Sequence, residues 1–140
     1  MAFFQNDGRA WPGSALAATL LVALLAWVGT VMSGSKPPAQ FGLASWYGPG
    51  FHGEETASGE IFNQRAMVAA HRTLPLGSVI RVTNLENGRR VTLRVIDRGP
   101  YGRNARKGTV VDVSRGAARR LQFIDDGLTR VRVDVLSTPG

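Results

Sequence analysis

Apolar and polar side chains alternate with a period of two along several short stretches of the chain, a pattern typical of half-buried β-strands. In the stretch 90–97 the alternating apolar residues are Val91, Leu93 and Val95, and in 78–83 they are Ile80 and Val82. Strands are also predicted over 43–47, 109–113 and 130–136. Several short strands separated by glycine-rich turns predict a mainly β fold, closed into a small barrel that leaves no exposed sheet edge.

Three local signals refine this outline. Asn87 and Gly88 separate two predicted strands, and this pair is typical of a type I′ hairpin turn, in which both central residues have positive φ. One short helix is predicted over 115–122, because Ser114 is a good N-cap and the apolar residues at 117, 118 and 121 share one face. The segment 73–77 contains Pro75 and is predicted to be a turn.

An uncharged apolar run covers residues 15–32, with Arg9 before it and small residues after it. A helix of about 20 apolar residues spans a bilayer core, and this order is typical of a secretory signal peptide or of an uncleaved anchor. We therefore predict a signal peptide or membrane-anchor helix over 1–35, a linker over 36–40 and the β-domain over 41–137. The protein is expected to be exported to the periplasm or cell envelope, with inner-membrane contact through the N-terminal segment.

Composition narrows the possible partners. The chain has no cysteine, so it has no disulfide framework and no cysteine to carry a lipid. Its formal charge is +7, and residues 41–140 carry +6 of it, nearly all as arginine. This charge serves solubility or attracts a polyanion. Because an exported protein rarely meets nucleic acid, anionic polymers of the envelope are the expected partners.

Two aspartates are the first candidates for chemistry. Asp97 ends a strongly predicted strand, where Gly99 and Pro100 turn the chain away, and is either reactive or a turn-capping residue. Asp112 interrupts an apolar run, and a carboxylate there is either a buried structural group or faces a groove.

His71 and Glu60 are weaker candidates, because a lone histidine or a loop glutamate is usually structural. His52 and His71 have no close-spaced ligand partner, so no metal site is predicted. Trp46 and Tyr47 lie beside glycines and either stack on sugars or pack in the core; being adjacent on a strand, they point to opposite faces.

Taken together, the motifs resemble one family, the RlpA-like lytic transglycosylases. The matching segments are GLASWYG (42–48), FHG (51–53), TASGE (56–60), AAHRTLP (69–75), VTNL (82–85), NGR (87–89), DRGP (97–100) and VDVS (111–114). The resemblance implies a six-stranded double-psi β-barrel with one or two short helices, here preceded by an N-terminal hydrophobic helix. It also implies lytic cleavage of peptidoglycan glycan strands, favouring strands that lack stem peptides, without a cofactor.

Carried over by motif, the resemblance makes Asp97, His71 and Glu60 the catalytic candidates. Asp97 would act as acid and then base, with a pKa raised by burial or by Asp112, while His71 and Glu60 would orient substrate or stabilise charge. Substrate-binding roles are expected for Asp112, Tyr47, Trp46, Thr56, Asn84 and Arg98. We expect a monomer. The alternatives are a non-catalytic, expansin-like wall-binding module and a true hydrolase.

Overall fold

The computed structural model describes residues 34–140, so the apolar run 15–32 lies outside the described residues. Residues Lys36–Gly140 form one compact unit. The strands are β1 (Gln40–Tyr47), β2 (Val68–Ala70), β3 (Val79–Asn84), β4 (Arg90–Asp97), β5 (Thr109–Ser114) and β6 (Leu128–Ser137), and the helices are α1 (Gly102–Arg106) and α2 (Arg115–Leu121). Within residues 34–140 no helix is long and apolar enough to cross a bilayer.

The six strands close into a barrel in the order β1-β5-β2-β4-β3-β6. The pairs β1–β5 and β2–β4 are parallel, and the other pairs are antiparallel. The predicted mainly β, closed six-stranded barrel with two short helices is therefore confirmed. The five strands located from the sequence agree with the structure to within three residues at each end, while β2 and α1 were not located.

The hairpin between β3 and β4 exists, but the predicted type I′ turn is wrong. The connection has five residues, 85–89, and only Gly88 among them has positive φ (76°). Asn87 takes a different conformation because its side chain is engaged at both ends: its Oδ1 accepts from Arg89 N–H and its Nδ2 donates to the Leu121 carbonyl, each at 2.9 Å. A contact with α2 therefore sets the shape of this turn.

The inward-facing apolar residues of the strands fill the barrel, and α2 packs on the same core through Ala117, Ala118 and Leu121. Ser114 caps this helix as predicted, because its Oγ accepts from Ala117 N–H at 3.1 Å. A smaller cluster lies outside the barrel wall and contains Phe62, Val68 and Ile96, with Tyr47 and Ala66 packed against it. This outer cluster supports the loop 48–66, which borders the candidate site.

Candidate active site on the outer face of the barrel

Asp97 and Asp112 lie in one row that crosses four neighbouring strands. The register pairs Ser45 of β1 with Asp112 of β5, Asp112 with Ala70 of β2, and Ala70 with Asp97 of β4. Both chain neighbours of Asp112 are buried in the core, so its side chain points to the outer face. The row therefore places one carboxylate on each side of Ala70. We call Ser45, Asp112, Ala70 and Asp97 the carboxylate row.

Asp97 connects the end of β4 to the loop 48–66. Its Oδ1 accepts hydrogen bonds from the backbone N–H groups of Ala57 at 3.0 Å and Arg98 at 2.8 Å. The register with β2 skips Ile96, and such a bulge re-aims a side chain. Because Ser58 N–H donates to the Ile96 carbonyl at 3.0 Å, the same strand end holds the loop at two points.

Asp112 is partly buried. Burial raises the pKa of its carboxyl, the charge of Asp97 acts in the same direction, and a hydrogen bond from the Ser45 hydroxyl to Oδ1 opposes them. A Cβ added to Gly99 would lie 3.4 Å from Asp112 Oδ2, so the absence of a side chain there leaves room beside the carboxylate. Asp112 therefore holds a proton more readily than an ordinary aspartate.

Tyr47 lies two residues after Ser45 on β1, so both side chains are on the same face of the strand. Its ring stacks on Phe62 with centroids 4.2 Å apart and meets the edge of Phe51 at 6.0 Å. Burial, together with the charges of Asp97 and Asp112, raises its pKa, so the phenol stays protonated at neutral pH. Its hydroxyl oxygen is buried and has no hydrogen-bond partner within residues 34–140.

His71 is buried, and both of its ring nitrogens are engaged. Nδ1 accepts from the backbone N–H groups of Thr73 at 3.2 Å and Leu74 at 3.1 Å, so the proton is on Nε2, which donates to Gln40 Oε1 at 2.8 Å. Burial and two nearby arginine charges lower its pKa. His71 N–H also donates to the Asp97 carbonyl at 3.1 Å. In this arrangement a neutral His71 positions the backbone behind Asp97, and its direct role toward substrate stays a prediction.

Glu60 lies in the loop that Asp97 holds. Its carboxylate forms a two-point ion pair with Arg94, one contact of which measures 2.8 Å, and hydrogen bonding to Arg94 lowers the pKa of Glu60. Thr56 is buried, and its hydroxyl donates to the Glu60 carbonyl at 2.8 Å. Glu60 is thus an ionised group at the edge of the site, and Thr56 shapes the loop.

Trp46 and Arg98, both expected to bind substrate, contact the protein itself. The Trp46 indole N–H donates to the Ile124 carbonyl at 3.3 Å, and the ring packs against the main core. The Arg98 guanidinium donates to the carbonyls of His71 at 3.0 Å and Leu74 at 2.6 Å. Arg98 therefore braces the turn that follows β2.

Asn84 lies beside the start of β4, whereas Asp97 ends that strand. It is only 1% exposed. Its Nδ2 donates to the Leu121 carbonyl at 2.9 Å, and its Oδ1 accepts from Thr129 Oγ1 and Glu86 N–H, each at 2.9 Å. The structure does not bring Asn84 to the carboxylate row.

Three groups at the site were not identified from the sequence: Ser45 within the row, and the Ala57 N–H and Tyr101 near it. Tyr101 is 64% exposed, and its Cδ2 would lie 3.9 Å from a Cβ on Gly99. An aromatic residue directly after the DRGP motif was the available signal for Tyr101. The Ser45–Asp112 contact joins positions 67 residues apart, so no local sequence pattern could predict it. Within the described residues no three potential ligands cluster in a way that could hold a metal ion.

Comparison with known proteins agrees with this geometry. A family model described as lytic transglycolase matches residues 39–133. The chain is 50% identical over 95 residues to the endolytic peptidoglycan transglycosylase RlpA of Campylobacter jejuni, covering 68% of this chain and 33% of the relative. It is 53% identical over 95 residues to a probable endolytic peptidoglycan transglycosylase RlpA of Synechocystis, covering 68% and 28%. The chain thus spans about a third or less of the length of these relatives.

Solved structures share the fold. The apo expansin of Clavibacter michiganensis superposes with a TM-score of 0.56 at 19% identity, covering 74% of this chain and 52% of the expansin. A Streptomyces papain inhibitor gives a TM-score of 0.57 at 19% identity, covering 74% and 98%. These likenesses concern the barrel alone, and with them the predicted double-psi β-barrel is confirmed. Because the family model covers most of the chain and the matching relatives are named RlpA, the chain belongs to the RlpA family.

Proposed function

We propose that this chain is a peptidoglycan lytic transglycosylase. It would cleave MurNAc–GlcNAc β-1,4 bonds in glycan strands that lack stem peptides and leave 1,6-anhydroMurNAc ends. The observation that carries the proposal is the carboxylate row, in which Asp97 and Asp112 flank Ala70. The names of the relatives support the reaction class and the substrate.

The two aspartates supply the acid and the base. Burial raises the pKa of the Asp112 carboxyl, and the charge of Asp97 acts in the same direction, so Asp112 holds a proton more readily than an ordinary aspartate. Asp97 Oδ2 accepts no hydrogen bond within residues 34–140 and is the oxygen from which the proton passes to the glycosidic oxygen. The C1–O bond then breaks, the MurNAc 6-hydroxyl oxygen attacks C1, and its proton returns to the carboxylate. Proton and bonds balance without water.

Aromatic side chains near the row would hold the sugars. Tyr101 is 64% exposed and lies against Gly99, which is also next to Asp112. Phe51 is 54% exposed and contacts the ring of Tyr47. Apolar ring faces of this kind stack on the apolar faces of sugar rings. Tyr47, whose hydroxyl is buried, would support Phe51 through the edge contact between their rings and would not touch the sugar itself.

The site of action is proposed to be the periplasm or cell envelope. The uncharged run 15–32 supports export, either as a cleaved signal peptide or as an inner-membrane anchor. The basic charge of the domain favours anionic wall polymers as its surroundings. We propose that the protein acts as a monomer.

The experiment compares Asp97→Asn and Asp112→Asn with the wild type on purified, peptide-free glycan strands, with products measured by mass spectrometry. Asp126→Asn is the matched control, because Asp126 is exposed and lies after α2. Removing an acid–base group costs about 10²–10⁴ in rate. We expect both site variants to lose 1,6-anhydro products to this extent while the control keeps them.

Anhydro products at the normal rate from Asp97→Asn would refute the assignment. Reducing ends from the wild type would indicate a hydrolase instead. Strand binding without any cleavage by the wild type would indicate a wall-binding module of the expansin kind.

A further inference from the structure

Gln40, the first residue of β1, holds the ring of His71 from a different strand. The buried His71 ring donates from Nε2 to Gln40 Oε1 at 2.8 Å, a contact between positions 31 residues apart. The other two hydrogen bonds of the ring within residues 34–140 come from the turn that follows β2. Gln40 therefore links this turn to β1, although it lies outside every matching segment of the family motif.

The His71 ring organises the turn 71–74 from inside. Its Nδ1 accepts from the backbone N–H groups of Thr73 and Leu74, so the ring proton must lie on Nε2. A buried N–H needs an acceptor, and Gln40 supplies it. Without that acceptor the N–H would be unpaired, and a rotation of the ring that relieved it would take Nδ1 away from the turn.

The turn in its place holds the peptide group between Asp97 and Arg98. The carbonyl of this group accepts from His71 N–H at 3.1 Å, and its N–H donates to Asp97 Oδ1 at 2.8 Å. The Arg98 guanidinium also donates to the carbonyls of His71 and Leu74. Because one planar peptide group carries both the bond from His71 and the bond to the carboxylate, its orientation sets the direction of the Asp97 side chain.

We propose that Gln40 is a positioning residue for the Asp97 carboxylate, acting through the His71 ring and the turn 71–74. The inference rests on the proposed function, in which Asp97 transfers the proton. Gln40 would not touch the glycan strand; it would keep the His71 ring in one tautomer and one orientation. The loss of such a group lowers kcat and leaves KM unchanged, because a misplaced acid affects the transition state more than substrate binding.

The first variant is Gln40→Met, which removes the acceptor and keeps an unbranched side chain of similar length. We expect kcat for the release of 1,6-anhydro products from peptide-free glycan to fall about tenfold to 100-fold, with KM unchanged. Gln122→Met is the matched control, because the same chemical change is made at an exposed residue. Its kcat should equal that of the wild type.

Gln40→Glu restores an acceptor and gives a signature that a merely structural residue would not. A carboxylate beside Nε2 favours the charged ring, so it should raise the pKa of His71, which burial and the charges of Arg72 and Arg98 lower in the wild type. A protonated Nδ1 cannot accept from the turn, so kcat of this variant should fall as pH drops through the raised pKa. At about pH 8 the ring is neutral, and kcat should be close to that of the wild type.

NMR measures the His71 titration without reference to cleavage. The chain has two histidines, so His52→Asn assigns the ring signals. Gln122→Glu is the control for Gln40→Glu and should leave the His71 pKa unchanged. Hydrogen exchange of the Arg98 backbone N–H, which donates to Asp97 Oδ1, should become about tenfold faster in Gln40→Met relative to the amides of β3.

The proposal is overturned if Gln40→Met keeps its kcat, if it raises KM instead, or if Gln40→Glu leaves the His71 pKa unchanged. If Gln40→Met fails to fold, Gln40→Asn replaces it, because its amide is one carbon too short to keep the bond to Nε2. An unchanged kcat in Gln40→Asn would then overturn the proposal.

The two proposals fail separately. A wild type that releases no anhydro products would refute the transglycosylase assignment, while the His71 titration and the Arg98 exchange rate would still test the action of Gln40. Normal cleavage by folded Gln40→Met would refute the positioning role alone.

Discussion

Replacing Asn84 by alanine should make the barrel easier to unfold without slowing cleavage by the molecules that remain folded. The side chain makes three hydrogen bonds, to the Leu121 carbonyl, Thr129 Oγ1 and Glu86 N–H. Each is worth about 0.5–1.5 kcal/mol, and Thr129, only 6% exposed, would be left with a buried unpaired hydroxyl. We therefore expect the free energy of unfolding to fall by about 2–4 kcal/mol.

This loss is large for a domain of this size, whose total stability is about 5–15 kcal/mol. It corresponds to a drop in melting temperature of roughly 10–20 °C. The assay is urea denaturation followed by circular dichroism, together with initial rates of anhydro-product release well below the melting temperature of the variant. Asn87→Ala is the matched control, because Asn87 Nδ2 donates to the same Leu121 carbonyl at 2.9 Å but the residue is exposed. Its cost should stay below about 1 kcal/mol.

The opposite result is informative. If Asn84→Ala kept its urea midpoint and lost cleavage, the residue would contact substrate as the family motif suggests, and the structural role derived from its hydrogen bonds would be wrong.

Two further predictions concern Asp112 and Gly42. The folded state binds the Asp112 proton more tightly than the unfolded chain, because the folded pKa is raised above the ordinary value of 3.8. The stabilisation from this proton is full below the unfolded pKa and is lost as pH rises through the folded pKa. Asp112→Asn should therefore gain stability relative to wild type as pH rises above about 4, and a constant difference in urea midpoint would contradict this. A Cβ on Gly42 would lie 2.5 Å from Val110 Cγ1 and 2.9 Å from the Gly108 carbonyl oxygen, so Gly42→Ala should lower stability by about 1–3 kcal/mol. Gly50→Ala, with nothing within 4 Å, should stay within about 0.5 kcal/mol, and equal urea midpoints for the two variants would show that β1 can move away from β5.

Local patterns predicted the parts of the fold that depend on local physics. The alternation in 90–97 gave the bounds of β4 correctly, because one face of that strand lies on the core and the other in solvent. Ser114 was found as an N-cap because capping depends on residues within one turn. Strand β2 was not located, because three buried residues, Val68 to Ala70, present no alternation to detect.

The site was predicted less completely, because its geometry comes from pairing between distant strands. Spacing identified Asp97 and Asp112 as candidates but could not show that Ala70 lies between them. The family motif predicted a catalytic role for His71 and a substrate-binding role for Asn84. The structure adds that both side chains form buried hydrogen bonds to the protein itself. A motif records that a residue is needed, whereas only the fold shows what its polar atoms contact.

The carboxylate row ties the proposed chemistry to the register of β5. A shift of one residue in this strand would turn Asp112 into the apolar core and bring a valine to the outer face. The Asp112 carboxylate, whose pKa is already raised by partial burial, would then be a fully buried charge without a partner. Because such a charge is costly, the barrel strongly favours the register that places the carboxylate outward. Since Gly42 lies where β1 meets β5, a substitution there that loosens this pairing should reduce cleavage before the core unfolds.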